Sequence, residues 1–529
     1  MARTLKSGSR TFDNKAGVRI KMTEFTSPKL TKSYFVVFVL AAALYAITCA
    51  PGSLFQDSGM FQYRIWHNDV EGGLGLALAH PLYHLIGMAA KSIPLGEYGY
   101  RINLISAICG AITVANIFLL IRFFVGGLIP AAVGALSLTL SWTFWQHCAI
   151  AEVYTLYTAI FSAELIFLFL CFKKQKVGWL YLLAFFNGLS ISNHMWGILP
   201  LACYLVMIVV LLYRRNIRFG QILLMALPWT AGCAPYLYLI IRELIATGDF
   251  AGTIQSALVG GSYGSKVLNV ALSTTIVKKN FMFFGLSFPT PNILLFFVGL
   301  FAVYKVIGFK TFANMLLAMM LIFFVFAFRY TVPDRYAFFI PFYCLVCVFI
   351  GVGCRVVLER FKNRYLPFAI VIGALLPVGV YAVVPIIAER MEFSLGTKRQ
   401  IPYRNEYTYF LRPWQCGNDG PKLFAADALD SVEDNGVIIA DGTTVYALWY
   451  AQQFAGLRRD VKIISKHGDY KNPIDFVTVE TLDDLLAAEA VYVVTPQKRY
   501  CPEFILESGK YDFVKSGPVF RIKAISDTN

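Results

Sequence analysis

About eleven apolar runs, each near the twenty residues that a helix needs to cross a bilayer, leave this chain little freedom of fold. Among lipid tails every backbone N–H and C=O must be bonded within its own segment, so such runs become helices. They begin near Tyr34, Ile102, Leu128, Val153, Val177, Gly197, Phe219, Asn292, Phe312, Ala337 and Leu366. Composition agrees. Only 15% of the residues are charged, against roughly 25% in a soluble domain. The net charge of +15 does not signal nucleic acid, because the basic residues form short clusters between apolar runs, as membrane topology requires. Most of the eleven cysteines lie inside those runs and read as small core residues.

The clusters also orient the chain. Residues 1–33 form a basic tail, and the run after it is long enough to span rather than to be cleaved as a signal peptide. Arg122, then Lys173, Lys174 and Lys176, then Arg214, Arg215 and Arg218, then Lys305 and Lys310, then Arg355, Arg360, Lys362 and Arg364 follow alternate runs. Positive residues stay cytoplasmic. The N-terminus is therefore expected in the cytoplasm. The polar, Gly-rich stretch 51–101 is the first extracytoplasmic loop. An odd span count puts residues 391–529 outside as well. All six histidines, from His67 to His467, then fall on the outer side. This predicts a multi-pass protein of a bacterial inner membrane or an ER-type membrane, with residues 34–390 as its transmembrane domain.

Beyond Met391 the pattern changes. GVIIADG, DVKIISK and AVYVVTP are short, β-branched and bounded by turn residues, so they read as strands. TTVYALWYAQQFAG and VETLDDLLAAEA carry helical spacing. Their alternation predicts a small α/β domain. Cys416 and Cys501 lie there, and their spacing alone does not argue for a disulfide.

Several outward-facing residues invite a chemical reading. Asp57, in DSGMFQYR just past the first run, reads as a general base or as a solvated helix cap. His80 and His84 share one face of a short helix begun by Pro81. They suit a phosphate or, less favoured, a divalent metal, or simply ordinary interfacial hydrogen bonds. Glu152 and Tyr154 open a span, where the helix dipole favours an acid. Asn193 and His194 close the next span on the same side. Asp334 and Arg335 read as an ion pair, or as an Arg fork for a lipid phosphate oriented by the acid. Arg101 is the alternative phosphate ligand or an interfacial anchor. No P-loop, nucleophile elbow or dinucleotide fingerprint occurs. An outward site has no nucleotide-sugar supply, so an activated donor would be lipid-borne.

QDSGMFQYR with AHPLYHLIGMAAKSIPLGEYGYRINLISAICGAIT, then FWQHCAIAEVYTLYTAIF, then NGLSISNHMWGILPL, resemble the membrane core of the GT-C type protein O-mannosyltransferase-like family. VPDRYAFFIPFY and ADGTTVYALWYAQQFAGLRRDVKII resemble later segments of it. The resemblance implies a GT-C glycosyltransferase fold, a polyprenyl-phosphate sugar donor, and inverting transfer of mannose or a similar hexose to a hydroxyl. The acceptor would be Ser or Thr of a protein, or a glycan, on the extracytoplasmic face. It assigns Asp57 as catalytic, and His80, Glu152, Asn193 and His194 to the substrate site. Two positions depart from the family pattern. Met60 stands where an acid is usual, which speaks against a two-carboxylate mechanism, and the His-Pro motif is shorter.

The remaining assignments are then that Arg335 or Arg101, with His80, holds the leaving phosphate and that the C-terminal domain binds the acceptor. The rival readings are a lipid or sugar transporter, which predicts ionisable groups at mid-membrane, and a non-catalytic membrane scaffold. Neither requires the outer ends of the first, fourth and fifth spans to converge.

Overall fold

A computed structural model describes residues 27–260, 269, 273–332, 334–395, 399–465 and 477–525. The rest of the basic tail and His467 lie outside the described residues. The membrane part contains α1 (Pro28–Thr48), α2 (Gln56–Trp66), α3 (Pro81–Ala90), α4 (Tyr98–Val125), α5 (Leu128–Thr139), α6 (Trp142–Cys148), α7 (Tyr154–Lys174), α8 (Gly178–Asn193), α9 (Ile198–Tyr213), α10 (Phe219–Thr247), α11 (Phe250–Val259), α12 (Thr274–Ser287), α13 (Leu294–Ile307), α14 (Lys310–Arg329), α15 (Ile340–Arg360) and α16 (Leu366–Arg390).

Among the described residues eight helices are long and apolar enough to cross a membrane. Two bent pairs, α5 with α6 at 69° and α12 with α13 at 109°, raise this to ten. The eleventh expected span is α8. Its 16 residues fall short, and Asn187, Ser190, Ser192 and Asn193 lower its hydropathy. Yet α8 runs back along α7. Asn193 Nδ2 donates to the Val153 carbonyl at 2.9 Å, beside the N-terminus of α7. A helix that returns from one end of a span to the other crosses the same slab. Large apolar side chains such as Phe35, Leu205, Val206, Leu227, Phe301 and Phe368 face outward, as lipid contact requires. The chain is an integral membrane protein.

One ionisable group departs from the expectation that polar residues gather at a single face. Glu164 lies midway along α7 and is fully buried. Tyr204 of α9 donates to its Oε2 at 2.8 Å, and Ser190 of α8 donates to its Oε1 at 2.5 Å. The carboxyl ties three helices together, and both oxygens are satisfied, so it is a crosslink rather than a vacant ion site.

The C-terminal part carries α17 (Glu406–Leu411), α18 (Gly420–Asp430), β1 (Val437–Ile439), α19 (Val445–Phe454), β2 (Lys462–Ile464), α20 (Val479–Ala488), β3 (Val491–Val493), α21 (Glu503–Glu507), β4 (Tyr511–Ser516) and β5 (Val519–Ala524). The sheet order is β2-β1-β3-β5-β4. β1 pairs in parallel with β2 and β3, and β3–β5 and β5–β4 are antiparallel. The three parallel strands and the two helices between them form where the sequence pattern predicts. Cys416 is exposed and Cys501 buried, and both are free.

The two parts meet on α2. Phe61 and Ile65 belong to the membrane core, whereas Phe55 and Tyr63 belong to the core of the C-terminal domain. Tyr63 stacks on Trp449 at 4.8 Å, Trp66 meets Phe454 at 4.7 Å, and Phe55 meets Phe424 at 5.9 Å. Each such pair adds about 0.5–1.5 kcal/mol beyond its buried area. Gln62 pins the same helix from the membrane side. Its Nε2 donates to the Asn103 Oδ1 at 3.0 Å and to the Gly52 carbonyl at 3.1 Å. Glu71 of the first loop and Arg242 of α10 form a partly exposed ion pair, a kind worth little by comparison.

Gly59 allows this junction. A Cβ there would stand 2.3 Å from the Leu54 carbonyl oxygen and 3.0 Å from Tyr446 Cβ. Gly59→Ala should therefore destabilise the protein by about 1–3 kcal/mol and expose the C-terminal domain to protease. Thermal unfolding in detergent with limited proteolysis checks this, and an unchanged midpoint and digestion pattern would contradict the packing account.

Candidate active site at the outer helix ends

Asp57 sits in the first turn of α2. Gln56 before it holds φ 56, in the left-handed region, and its N–H donates to the Thr443 carbonyl at 3.0 Å. A sharp turn clamped by the C-terminal domain thus aims Asp57. The side chain is open to solvent but stands in a deep cleft with protein on most sides. That surrounding mass, and then the negative charge of Asp334, raise its carboxyl to about 7.

Glu152 is buried just before α7. Ser106 Oγ donates to its carbonyl and accepts from its N–H, both at 3.0 Å. Burial raises its carboxyl well above the usual range, and the charges of Asp57 and Asp334 push the same way. The three acids therefore lie within electrostatic reach of one another. Glu152 is thereby biased toward its protonated form, and Asp57 is the accessible one that titrates near neutral pH. Tyr154 bridges the group, its hydroxyl 3.5 Å from Asp334 Oδ2. Among the described residues no three His, Cys, Asp or Glu groups stand close enough to hold a metal ion.

The histidines form the next wall. His80 has φ 52 and ψ 49, a left-handed conformation that costs roughly 1–2 kcal/mol outside glycine. Pro81 starts α3 behind it, and the His80 Nδ1 donates to the Asn193 carbonyl at 2.8 Å. Burial pushes the ring down to about 4, so it is neutral and its Nε2 is an acceptor. His194 stacks on it at 5.1 Å. The Trp196 N–H donates to His194 Nδ1 at 3.1 Å. Burial and the neighbouring His80 hold His194 well below the usual imidazole range, so its Nε2 carries the proton. The stacked pair therefore offers one acceptor and one donor. Tyr154 stacks on Trp196 at 5.0 Å and lies 5.8 Å from His194.

Other expected residues have different places. His84 is fully buried behind His80, and its Nδ1 donates to the His80 carbonyl at 3.1 Å. It supports the turn and does not reach the cleft. Arg101 donates through Nη1 to the Lys91 and Ile93 carbonyls, both at 2.7 Å. It caps α3 at the end away from His80, which gives Nη1 a fastening role there. Asn193 holds His80 and Val153 through its carbonyl and amide, and is itself wholly buried. Arg335 donates to the Ile276 carbonyl of α12 at 3.2 Å and lies 5.8 Å from the Phe283 ring. It thus faces α12 rather than Asp334.

Sequence reasoning missed three features. Lys278 and Lys279 follow Ile276 on α12 and are exposed; two lysines in a long polar segment gave no pattern to detect. Tyr409, half-buried in α17, feels the charge of Asp57, although no motif records a spacing of hundreds of positions. Arg64, which in the sequence is one more polar residue of the first loop, is buried. It pairs with Asp69 at 3.2 Å and donates to the Ala79 carbonyl at 3.0 Å. It braces the loop between Asp57 and His80.

Comparison with known proteins agrees with the resemblance read from the motifs. Residues 76–218 match the family described as the Protein O-mannosyl-transferase TMEM260 N-terminal domain. The mouse Protein O-mannosyl-transferase TMEM260 is 26% identical over 279 residues, 47% of this chain. The match spans 38% of that relative's length. ArnT from Cupriavidus metallidurans bound to undecaprenyl phosphate is similar in structure, with TM-score 0.57 and 14% identity, over 94% of this chain and 99% of that one. Its apo state gives TM-score 0.55 over 93% and 98%. The chain therefore has the GT-C glycosyltransferase fold, and in its N-terminal half it is similar in sequence to a protein O-mannosyl-transferase.

Proposed function

We propose that the chain is a membrane glycosyltransferase that moves a hexose, mannose or a similar sugar, from a polyprenyl-phosphate donor to a hydroxyl of Ser or Thr in a protein. One observation carries this reading. Asp57 is an accessible carboxyl beside the neutral histidine pair and the charge of Asp334, with an affinity for protons centred near the pH at which a general base works best. Asp57 accepts the proton of the acceptor hydroxyl as its oxygen attacks the anomeric carbon. The bond from that carbon to the phosphate oxygen breaks, and the configuration inverts. The polyprenyl phosphate leaves with the electron pair.

Arg335 is the residue best suited to meet that charge, with Lys278 and Lys279 one turn along α12. His80 Nε2 and His194 Nε2–H suit sugar hydroxyls, since a neutral acceptor nitrogen repels a phosphate. Glu152 and the Tyr154 hydroxyl complete the sugar pocket. The distribution of Lys and Arg between spans supports a cytoplasmic N-terminus, with the cleft and residues 391–529 on the extracytoplasmic side. The mutually satisfied bonds of Glu164 argue against a transport pathway through α7.

Asp57→Asn should lower transfer by about 10²–10⁴-fold while leaving membrane insertion and thermal stability intact. The assay is mass spectrometry of a Thr peptide offered several polyprenyl-phosphate sugars, with and without EDTA. Full activity of the variant would sink the role of Asp57. In the wild type, transfer at saturating donor should rise with pH through about 7. The raised carboxyl is protonated and inert as a base below that value and ionised above it. Residual Asp57→Asn activity should lack that rise. Arg335→Gln should raise the donor KM by about 10–100-fold, the loss of one charged hydrogen bond, with a smaller change in acceptor KM.

A further inference from the structure

A second concavity lies in the C-terminal domain. It has a volume of about 350 Å³ and opens between the segment after Arg399, the ends of β1 and β3, and the β4–β5 hairpin. Its place follows from topology. β1 lies between β2 and β3, all parallel, and the chain leaves β1 toward β2 and then crosses to β3. The carboxyl edge between β1 and β3 is therefore a switch point, where loops part and ligands of open α/β sheets bind. Thr444 after β1 and Thr495 and Gln497 after β3 line it there.

The lining indicates the class of ligand. Arg399 is held by Asp441 at 2.8 Å and lies 4.3 Å from the Tyr500 ring. Asp427 accepts from the Tyr403 hydroxyl at 2.6 Å. Those charges are matched within the wall, while Lys515 of β4 adds a cation to the lining. The remaining polar groups include the neutral amides of Gln400 and Gln497 and the hydroxyls of Thr444 and Thr495, and the apolar part of the lining includes Ile401, Val494 and Phe520. Side-chain amides match peptide N–H and C=O groups in both senses. The apolar part suits an apolar side chain, which a hexose lacks. The volume is at the small end of ligand pockets, enough for two or three residues.

The cavity is also joined to Asp57. Thr444 lines it, Thr443 accepts the Gln56 N–H, and Gln56 precedes Asp57. That path keeps the Thr444 and Asp57 Cα atoms within about 13 Å, which three or four extended residues cover. We propose that this cavity is a peptide subsite of the acceptor, holding an extended segment with an apolar side chain three or four residues from the hydroxyl that receives the sugar. It rests on the transfer reading above and adds to it the region of the acceptor that is read.

The test uses the full chain in lipid nanodiscs. The probe is a twelve-residue peptide with a central Thr and p-benzoylphenylalanine placed three or four residues to either side. After irradiation, cross-links are mapped by mass spectrometry, and sugar transfer to the same Thr is read in parallel. The expected result is cross-linking to 399–403, 494–497 or 515–520. Gln400→Ala and Gln497→Ala, both at exposed positions, should reduce the yield about tenfold and raise the KM for this peptide, with transfer to a three-residue Thr peptide unchanged. Cross-links confined to the membrane helices, or equal effects on both peptides, would overturn the subsite. Loss of cross-linking with mannotriose at concentrations that leave peptide transfer untouched would overturn it in favour of a saccharide. Cross-links in the cavity without transfer to the Thr would support the subsite and sink the transfer reading instead.

Discussion

The clamping of α2 between two hydrophobic cores is the constraint on which the rest depends. An eleven-residue helix has little intrinsic stability in water. Here it gives Phe61 and Ile65 to the membrane bundle and Tyr63, with Phe55 just before it, to the C-terminal domain. The Gln62–Asn103 bond fixes its register on α4, and the Thr443 carbonyl fixes its first turn. Asp57 is therefore positioned by both parts of the protein. Neither the helical bundle nor the sheet domain would orient it alone.

Electrostatics then divides the work among residues of similar type. Three acids share one region, and burial with mutual repulsion raises the affinity of Asp57 and Glu152 for protons. The accessible one titrates near neutral pH, while the buried one is pushed further toward its protonated form. The histidines are treated in the same way. Their hydrogen bonds, His80 to a carbonyl and His194 from an amide, leave opposite faces of the stacked pair free to differ. Two neutral rings thereby present one acceptor and one donor nitrogen.

Much of this is legible in the sequence alone. The apolar runs, the charge clusters and the strand–helix alternation after Met391 announce their elements, because hydrophobic periodicity is a local property. The motif residues Asp57, His80, Glu152, Asn193 and His194 lie near one another at one end of the helices. The exceptions share one cause. His84 lies a helical turn from His80 and yet faces the core, and Arg101 turns its Nη1 to carbonyls at the end of α3. Which partner a side chain meets depends on what packs opposite it, and spacing along one helix does not carry that. Glu164 was hidden in the same way, inside an apolar run whose hydropathy masks a single acid.

The amino-acid order by itself determined that this chain must be a bundle of membrane helices with a small α/β domain after it, since lipid leaves the backbone no other way to bond and polar segments cannot remain there. It also marked most of the residues that meet around Asp57. Only the tertiary structure decided that the β1–α19 loop grips the turn before Asp57, that Asp334 raises that carboxyl while burial raises Glu152 beside it, and that Arg335 turns toward α12. Those outcomes arise between segments far apart in the chain, where burial and like charge act through space rather than along the backbone.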